Sequence, residues 1–156
     1  MEVRLFGSGA LPSACRKRAL LERACKAALG PAARRAGEVN VIFTGRAEMR
    51  RINRRYLDHD YDTDVIAFPY AAPPARGGEP APFGDIYVSV AQAERQAAEL
   101  EHPLLEELLT LVVHGALHLA GYRDGTAAER RRMFARQARL LRPLAASTRR
   151  GRVAKR

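Results

Sequence analysis

The segment Leu104–Asp124 decides how this chain folds; it reads Leu-Leu-Glu-Glu-Leu-Leu-Thr-Leu-Val-Val-His-Gly-Ala-Leu-His-Leu-Ala-Gly-Tyr-Arg-Asp. Most of its residues up to position 120 are apolar, and they are interrupted by neither Pro nor Gly except Gly115. Pro103 suits the first position of a helix, and Gly121 suits its end. Because an apolar helix of this kind is usually buried, the segment predicts a central helix around which the rest of the chain packs.

Two histidines in this helix are spaced for metal binding. His114 and His118 stand at i and i+4, so both rings project from one face. Gly121 would turn the chain back and bring Asp124 to the same point. Two imidazoles and one carboxylate are three ligands, which leaves a position open for water and is typical of a catalytic zinc site. The alternative is a pair of core histidines, but the flanking Leu, Val and Ala side chains offer no partners for four ring nitrogens.

The chemistry of the predicted site points away from peptide hydrolysis. The signature His-Glu-x-x-His places a glutamate after the first histidine as general base, and this chain has Gly115 there. A bound metal can still acidify a water and polarise a phosphoryl oxygen. The formal net charge of +10 indicates a polyanionic partner, of which nucleic acid is the commonest. Together these features favour hydrolysis of a phosphodiester through the metal-bound water.

Length and composition are those of one globular domain. The chain has 156 residues, of which 47% are hydrophobic and 28% charged. No apolar run is long enough for a membrane span, and the N-terminus leads into a strand-like pattern rather than a signal peptide. Cys15 and Cys25 would lie on opposite sides of one helix, so we expect reduced thiols and a cytoplasmic protein.

The order of the predicted elements gives the fold class. We predict strands at 1–6, 39–44, 63–70 and 85–90, and helices at 13–29, 44–56, 89–101, 104–120 and 126–141. Ser89 and Gln92 form a capping-box pattern, Pro143 would stop the last helix, and residues 71–83 would be a long loop. We therefore expect a single α/β (α+β) domain over residues 1–146, with one mixed four-stranded sheet packed by about five helices. Residues 147–156 would form a basic, disordered tail.

Three blocks of the sequence resemble a known family. They are Ile52-Asn53 through Thr63-Asp-Val-Ile-Ala-Phe-Pro69, then Gly84-Asp-Ile-Tyr-Val-Ser89, then the histidine block. From about Val39 to the last helix, the chain resembles the bacterial YbeY-type endoribonucleases, also described as rRNA maturation factors. In that family the last block reads His-Gly-x-Leu-His-Leu-x-Gly-Tyr-Asp-His, and its three histidines hold zinc.

The resemblance implies a function. It is that of a cytoplasmic, zinc-dependent endoribonuclease specific for single strands, acting in small-subunit rRNA processing and ribosome quality control. The implied partners are rRNA and the ribosomal subunit, with one zinc ion per chain and no small-molecule cofactor. The sequence leaves two alternatives: a non-catalytic RNA-binding ribosome assembly factor with a structural metal, and a metallohydrolase of another substrate.

Two departures from the family pattern bear on this choice. Asp124 stands where the family has its third histidine, although a carboxylate binds zinc at similar bond length. Leu57 stands where many members carry an arginine within an Arg-Gly-x-Asp stretch. Metal binding is therefore better supported by the sequence than cleavage.

Several other residues are predicted near the site. Asp64 and Asp85 lie in matching blocks, and we expect them to orient a ligand or a water. For Asp64 a cap at the start of a strand is an equal alternative. Arg50, Arg54 and Arg55 form the basic face of the second helix and are predicted RNA contacts, the alternative being a solvated face.

Overall fold

A mixed four-stranded sheet lies at the centre of the computed structural model, which describes residues 1–71 and 82–153, with side chains as far as residue 148. Its strands are β1 (Glu2–Phe6), β2 (Glu38–Thr44), β3 (Val65–Pro69) and β4 (Pro82–Ser89). The strand order is β1-β2-β4-β3. Strand β2 is parallel to both β1 and β4, and β3 runs antiparallel to β4 along the far edge. The predicted mixed four-stranded sheet is confirmed.

Within the described residues, five α-helices surround this sheet, as predicted. They are α1 (Arg18–Leu29), α2 (Arg46–Leu57), α3 (Val90–Glu99), α4 (Leu104–Leu119) and α5 (Ala127–Val153). Three short 3-10 helices at Ser8–Ala10, Ser13–Cys15 and Gly30–Arg34 join the early elements. Ser89 caps α3 as predicted, because its Oγ accepts from the amide of Gln92 at 3.3 Å. No helix among the described residues combines the length and apolar character that a membrane crossing requires.

One face of the sheet carries the main core. Because side chains alternate along a strand, Val39, Val41 and Phe43 of β2 point to the same side and are all buried. Helices α1 and α4 pack on this side. Eleven of the sixteen residues of α4 are buried, which confirms the prediction of a central apolar helix.

The opposite face is covered by α2. Met49 and Ile52 of this helix pack on Ile66 of β3, with Phe68 and Tyr87 at the margin of the cluster. These sheet residues belong to the pleat opposite to the one that faces α4, since Ile66 pairs with Tyr87 in the β3–β4 register. The helix with the arginines and the helix with the histidines therefore lie on opposite faces of the sheet.

The predicted end of the last helix is wrong. Helix α5 continues through Pro143 to Val153, and so it includes residues 147–153 of the segment predicted as a disordered tail. A proline inside a helix costs about 3 kcal/mol. Burial of Leu144, which is 5% exposed, returns about 1.5–3 kcal/mol of that. Ser147 adds a hydrogen bond from its hydroxyl to the carbonyl of Pro143 at 3.1 Å. Packing beyond the proline thus offsets the break.

Smaller differences concern the starts of elements. Helix α1 begins at Arg18 rather than at position 13, because Lys17 is not helical and separates α1 from the 3-10 turn before it. Gly45, and not Thr44, precedes α2 as its N-cap. Strand β4 begins at Pro82, three residues earlier than predicted. Of the loop predicted at 71–83, residues 72–81 lie outside the described residues.

Candidate metal centre

Helix α4 presents His114 and His118 side by side at the border of the core. Their side chains are 20% and 30% exposed, whereas Val113 and Leu117 next to them are buried. The two rings are nearly perpendicular, and their Nε2 atoms lie 3.2 Å apart. The i, i+4 spacing therefore places both nitrogens at one point that opens toward solvent.

The turn after α4 brings the third residue to this point. Gly121 has φ +102°, a conformation that favours glycine, and the chain reverses there. The amide of Tyr122 donates to the carbonyl of Leu117 at 3.0 Å and closes the turn. Asp124 then places Oδ2 at 3.4 Å from His118 Nε2 and at 3.9 Å from His114 Nε2.

Hydrogen bonds to the other ring nitrogens define the tautomers. His118 Nδ1 lies 3.1 Å from the backbone carbonyl of Tyr122, and His114 Nδ1 lies 3.0 Å from Gln137 Oε1 of α5. A carbonyl oxygen only accepts, so each Nδ1 carries the proton and each Nε2 keeps its lone pair. Two lone pairs and a carboxylate oxygen thus converge, an arrangement that calls for a cation between them.

The three donors fit a metal ion. Ligands that share a zinc ion at about 2.0–2.1 Å in a tetrahedron lie about 3.3 Å from one another. The separations of 3.2 and 3.4 Å match this value, and the third, 3.9 Å, is somewhat wider. Within the part of the chain that the structure describes, His114, His118 and Asp124 are the group of three such residues that could hold a metal. Imidazole and carboxylate suit zinc and several other divalent metals.

Gly115 leaves no room for a peptidase base. A Cβ at this position would lie 2.5 Å from Ile86 Cγ2, because α4 packs directly on β4 there. A glutamate after the first histidine would meet the same obstacle, so the packing of α4 on β4 disfavours the usual base of a His-Glu-x-x-His enzyme.

Asp85 is not a partner of the histidines, contrary to the prediction. Its Oδ2 accepts from the hydroxyl of Tyr70 at 2.6 Å, and its Oδ1 accepts from Asn40 Nδ2 at 3.0 Å. The hydrogen bond from Tyr70 to Asp85 is the largest cause, and burial the second, of a rise in the pKa of Tyr70 to about 12. The reason is topological: Asp85 lies on the pleat of β4 that faces away from α4. The groups that orient the histidines are Gln137 and the carbonyl of Tyr122.

Asp64 caps the start of a strand, which was the alternative to a role at the metal centre. Its Oδ1 accepts from the amide of Val65 at 2.8 Å, at the start of β3. Its Oδ2 accepts from Gln96 Nε2 of α3 at 3.2 Å. Both carboxylate oxygens thus hold β3 and α3 in place.

The predicted RNA-contacting arginines differ in their surroundings. Arg50 donates from Nε to Asp60 at 3.2 Å and so holds the loop after α2. Arg54 and Arg55 form no ion pair with any described residue, and the Arg55 guanidinium lies 5.5 Å from the ring centre of Tyr56. Leu57, at the end of the same helix, is 42% exposed.

The sequence held a signal for Gln137 that was not used. The residue lies three positions after Phe134, within the otherwise apolar stripe predicted for the last helix. A polar side chain in such a stripe faces the core and requires a partner, here His114. The contact of Tyr122 with His118 is made by a backbone carbonyl, so the identity of residue 122 could not have indicated it.

Comparisons with known proteins agree with this geometry. The family model described as "Endoribonuclease YbeY" matches residues 13–145. A relative from Elusimicrobium minutum is 46% identical over 133 residues, which cover 85% of this chain and 92% of the relative. A relative from Chlorobium phaeovibrioides is 38% identical over 128 residues, 82% of each chain. Both carry the name endoribonuclease YbeY.

A solved structure has the same fold. The solution structure of a Thermotoga maritima protein superimposes with a TM-score of 0.61 at 28% identity. The match covers 96% of this chain and 93% of that protein. The sequence blocks, the converging donors and the family match lead to one conclusion. This chain belongs to the YbeY endoribonuclease family.

Proposed function

We propose that this protein is a zinc-dependent endoribonuclease that cuts single-stranded RNA in small-subunit rRNA maturation and ribosome quality control. The observation that carries the proposal is the convergence of two imidazole lone pairs and one carboxylate oxygen at a partly exposed point. Membership of the YbeY family and the net charge of +10 support RNA as the substrate.

His114, His118 and Asp124 are the residues that would hold the metal. A zinc ion bound there supplies a Lewis acid for a phosphoryl oxygen and lowers the pKa of water. The chain contributes orientation, because Gln137 and the Tyr122 carbonyl hold each imidazole with its lone pair toward the site. Asp124 is 48% exposed, so the site is open on its side to a phosphodiester.

One observation favours a second function. Leu57 offers no guanidinium where many family members have one, and α2 lies on the face of the sheet opposite to α4. The second function is an RNA-binding assembly factor whose metal is structural. A protein with this second function would bind RNA without cleaving it, and would still bind RNA after the metal ligands are replaced.

Cleavage of single-stranded RNA by the purified protein tests the proposal, with and without a chelator. His118→Ala is the informative variant because it removes a ligand, and a ribonuclease contaminant would survive it. His59→Ala is the matched control, since His59 stacks on Tyr61 in an exposed loop. We expect the unaltered protein and the His59→Ala variant to cleave RNA without chelator and not with it. The His118→Ala variant should not cleave RNA under either condition. Equal cleavage in all samples, or none in any, contradicts the proposal.

The products distinguish two chemical routes. Attack by the neighbouring ribose hydroxyl on phosphorus leaves a cyclic phosphate at the cleaved end. Attack by water leaves none. Mass spectrometry of the cleaved ends therefore assigns the nucleophile. If no cleavage occurs while RNA still binds, the assembly factor becomes the better description.

The cellular setting is part of the proposal. Cys15 and Cys25 are both buried free thiols, which suits a reducing cytoplasm. The basic chain and its family support rRNA within the small ribosomal subunit as the partner. Co-sedimentation with purified small subunits tests this partner, and His118→Ala should sediment equally. Failure of both proteins to sediment with the subunit would exclude it.

A further inference from the structure

Four aromatic side chains lie together on the sheet face that α2 only partly covers. We call this group the aromatic face: Tyr56, Phe68, Tyr70 and Tyr87. Tyr56 and Tyr87 both pack edge-on against Phe68, with ring centres 5.5 and 5.8 Å away. Tyr56 is 61% exposed and Tyr70 is 44% exposed, which is unusual for large aromatic residues in a group. The aromatic face therefore presents ring surface to solvent.

Arg55 supplies a positive charge beside this face. Arg55 lies over the ring of Tyr56, with its guanidinium 5.5 Å from the ring centre, and has no ion-pair partner among residues 1–71 and 82–148. The Asp85 carboxylate also lies within the face, where its two oxygens accept from neutral donors, Tyr70 and Asn40, and so it directs phosphates toward Arg55 rather than toward itself. Glu48, on the same helix as the arginines, is paired with Arg51 at 3.0 Å. Aromatic rings flanked by an unpaired arginine match the bases and a phosphate of a nucleic acid strand.

The edge strand β3 carries Phe68 of the aromatic face on one side of the sheet and contacts α4 on the other. A Cβ at Gly84 would lie 2.9 Å from the carbonyl oxygen of Phe68 and 2.6 Å from Leu119 Cδ2. The backbone of Phe68 and the side chain of Leu119, which follows His118, thus both lie close to Gly84, although the Phe68 ring faces away from α4. A strand of RNA bound to the aromatic face would have to pass around the β3 edge of the sheet to reach the metal ligands on α4.

We propose that the aromatic face stacks unpaired bases of the RNA substrate, while Arg55 contacts an adjacent phosphate. The inference rests on the proposed function and adds the residues that select single strands. Bases paired within a double helix do not expose their ring planes, so only unpaired bases can stack on Tyr56. Stacking is insensitive to sequence, because every base has a π-face.

Fluorescence anisotropy with a labelled oligouridylate tests this role. Binding is measured in chelator, so that the RNA stays intact, and is repeated with an abasic oligonucleotide of equal length. We expect Tyr56→Leu to weaken oligouridylate binding about 5- to 150-fold, because one stacked base is worth about 1–3 kcal/mol. Tyr56→Phe keeps the ring and should bind like the unaltered protein. The abasic strand should bind all of these proteins equally.

Phe6→Leu is the matched control. Phe6 is 47% exposed and lies on the same side of the sheet, but on β1, away from the aromatic face. It should leave binding unchanged. The proposal is overturned if the protein does not bind oligouridylate, if Tyr56→Leu has no effect, or if it weakens the abasic strand as much. If the aromatic face binds a protein partner instead of RNA, Tyr56→Leu should have no effect on oligouridylate binding.

This test is separate from the test of cleavage. Binding is recorded without turnover, so a protein that stacks bases but fails to cut RNA contradicts only the proposed function. A protein that cuts RNA but binds equally well after Tyr56→Leu contradicts only the aromatic face.

Discussion

His118 Nδ1 is hydrogen-bonded to the backbone carbonyl of Tyr122, 3.1 Å away and four residues later in the chain. The turn that ends α4 therefore has two effects on the metal centre. It brings Asp124 back to the histidines, and it fixes the tautomer that leaves His118 Nε2 free to bind. The integrity of the site depends on the backbone of this turn.

Replacement of Gly121 tests this dependence. Gly121→Ala introduces a Cβ that meets no atom within 4 Å, so its effect comes from the backbone at φ +102°. Such strain costs about 1–3 kcal/mol. We expect a lower free energy of unfolding and weaker zinc binding, measured by urea denaturation and by chelator competition. Gly125→Ala, in the same loop at an ordinary φ with its nearest contact at 3.8 Å, should change little. Equal effects of the two variants would contradict this account.

Gln137 should affect zinc through His114. Gln137→Leu removes the acceptor for His114 Nδ1, and loss of such a partner weakens metal binding about 10- to 100-fold. Gln137→Glu keeps an acceptor oxygen and should retain the affinity. Competition with a chromophoric chelator measures both.

The control for this experiment is Gln96→Leu. Gln96 donates to Asp64 and not to the metal centre, so its replacement should leave the zinc affinity unchanged. If Gln137→Leu binds zinc as tightly as the unaltered protein, Gln137 does not orient the ligand.

Close packing of α4 on β4 predicts a coupling between two residues. Gly115→Ala should lower the free energy of unfolding by about 1–3 kcal/mol, because the new Cβ meets Ile86 Cγ2 at 2.5 Å. In an Ile86→Ala background this atom is gone, and the penalty should fall by at least about 0.5 kcal/mol. Urea unfolding of the four proteins gives the coupling energy. Additive effects would show that Ile86 is not the obstacle.

The central helix and the convergence of His114, His118 and Asp124 could be predicted because their signals are local. The apolar run of α4, the i, i+4 histidines and Gly121 before Asp124 all lie within 21 consecutive residues. The alternation of the strands was equally visible, and with it the four-stranded sheet. Local periodicity is what a single sequence reports best.

Contacts between distant segments could not be predicted in this way. Asp85 was assigned to the histidines, but its partners are Tyr70 and Asn40, on two other segments that the sheet brings together. Pro143 does not end the helix, because burial of Leu144 and the hydrogen bond from Ser147 offset its unfavourable local propensity. Both depend on tertiary packing, which the order of residues does not show.

The hydrogen bond from Tyr70 to Asp85 predicts a dependence on alkaline pH. The pKa of Tyr70 is raised from 10.0 to about 12 in the folded protein, so the protonated hydroxyl is the stabilising form. Its contribution is fully present below about pH 10 and is lost as the pH rises toward 12. The difference in urea midpoint between the unaltered protein and Tyr70→Phe should narrow across this range. A constant difference would show that the proton of Tyr70 has no part in stability.

Zinc should stabilise the folded protein. A ligand present at about 100 times its dissociation constant adds about 2.7 kcal/mol, which corresponds to a rise in Tm of about 5–10 °C for a chain of this size. Differential scanning fluorimetry with zinc and with chelator measures the shift. His118→Ala should show none, because it removes a ligand nitrogen 3.2 Å from that of His114.

Variants of Asp124 then test the third ligand. Asp124→Asn removes the negative charge and should reduce the zinc-dependent rise in Tm. Asp124→His supplies the imidazole that the family pattern has at this position, and should give a rise at least as large as that of the unaltered protein. If both variants and the unaltered protein shift equally, the carboxylate 3.4 Å from His118 Nε2 is not a ligand, and the site has only two.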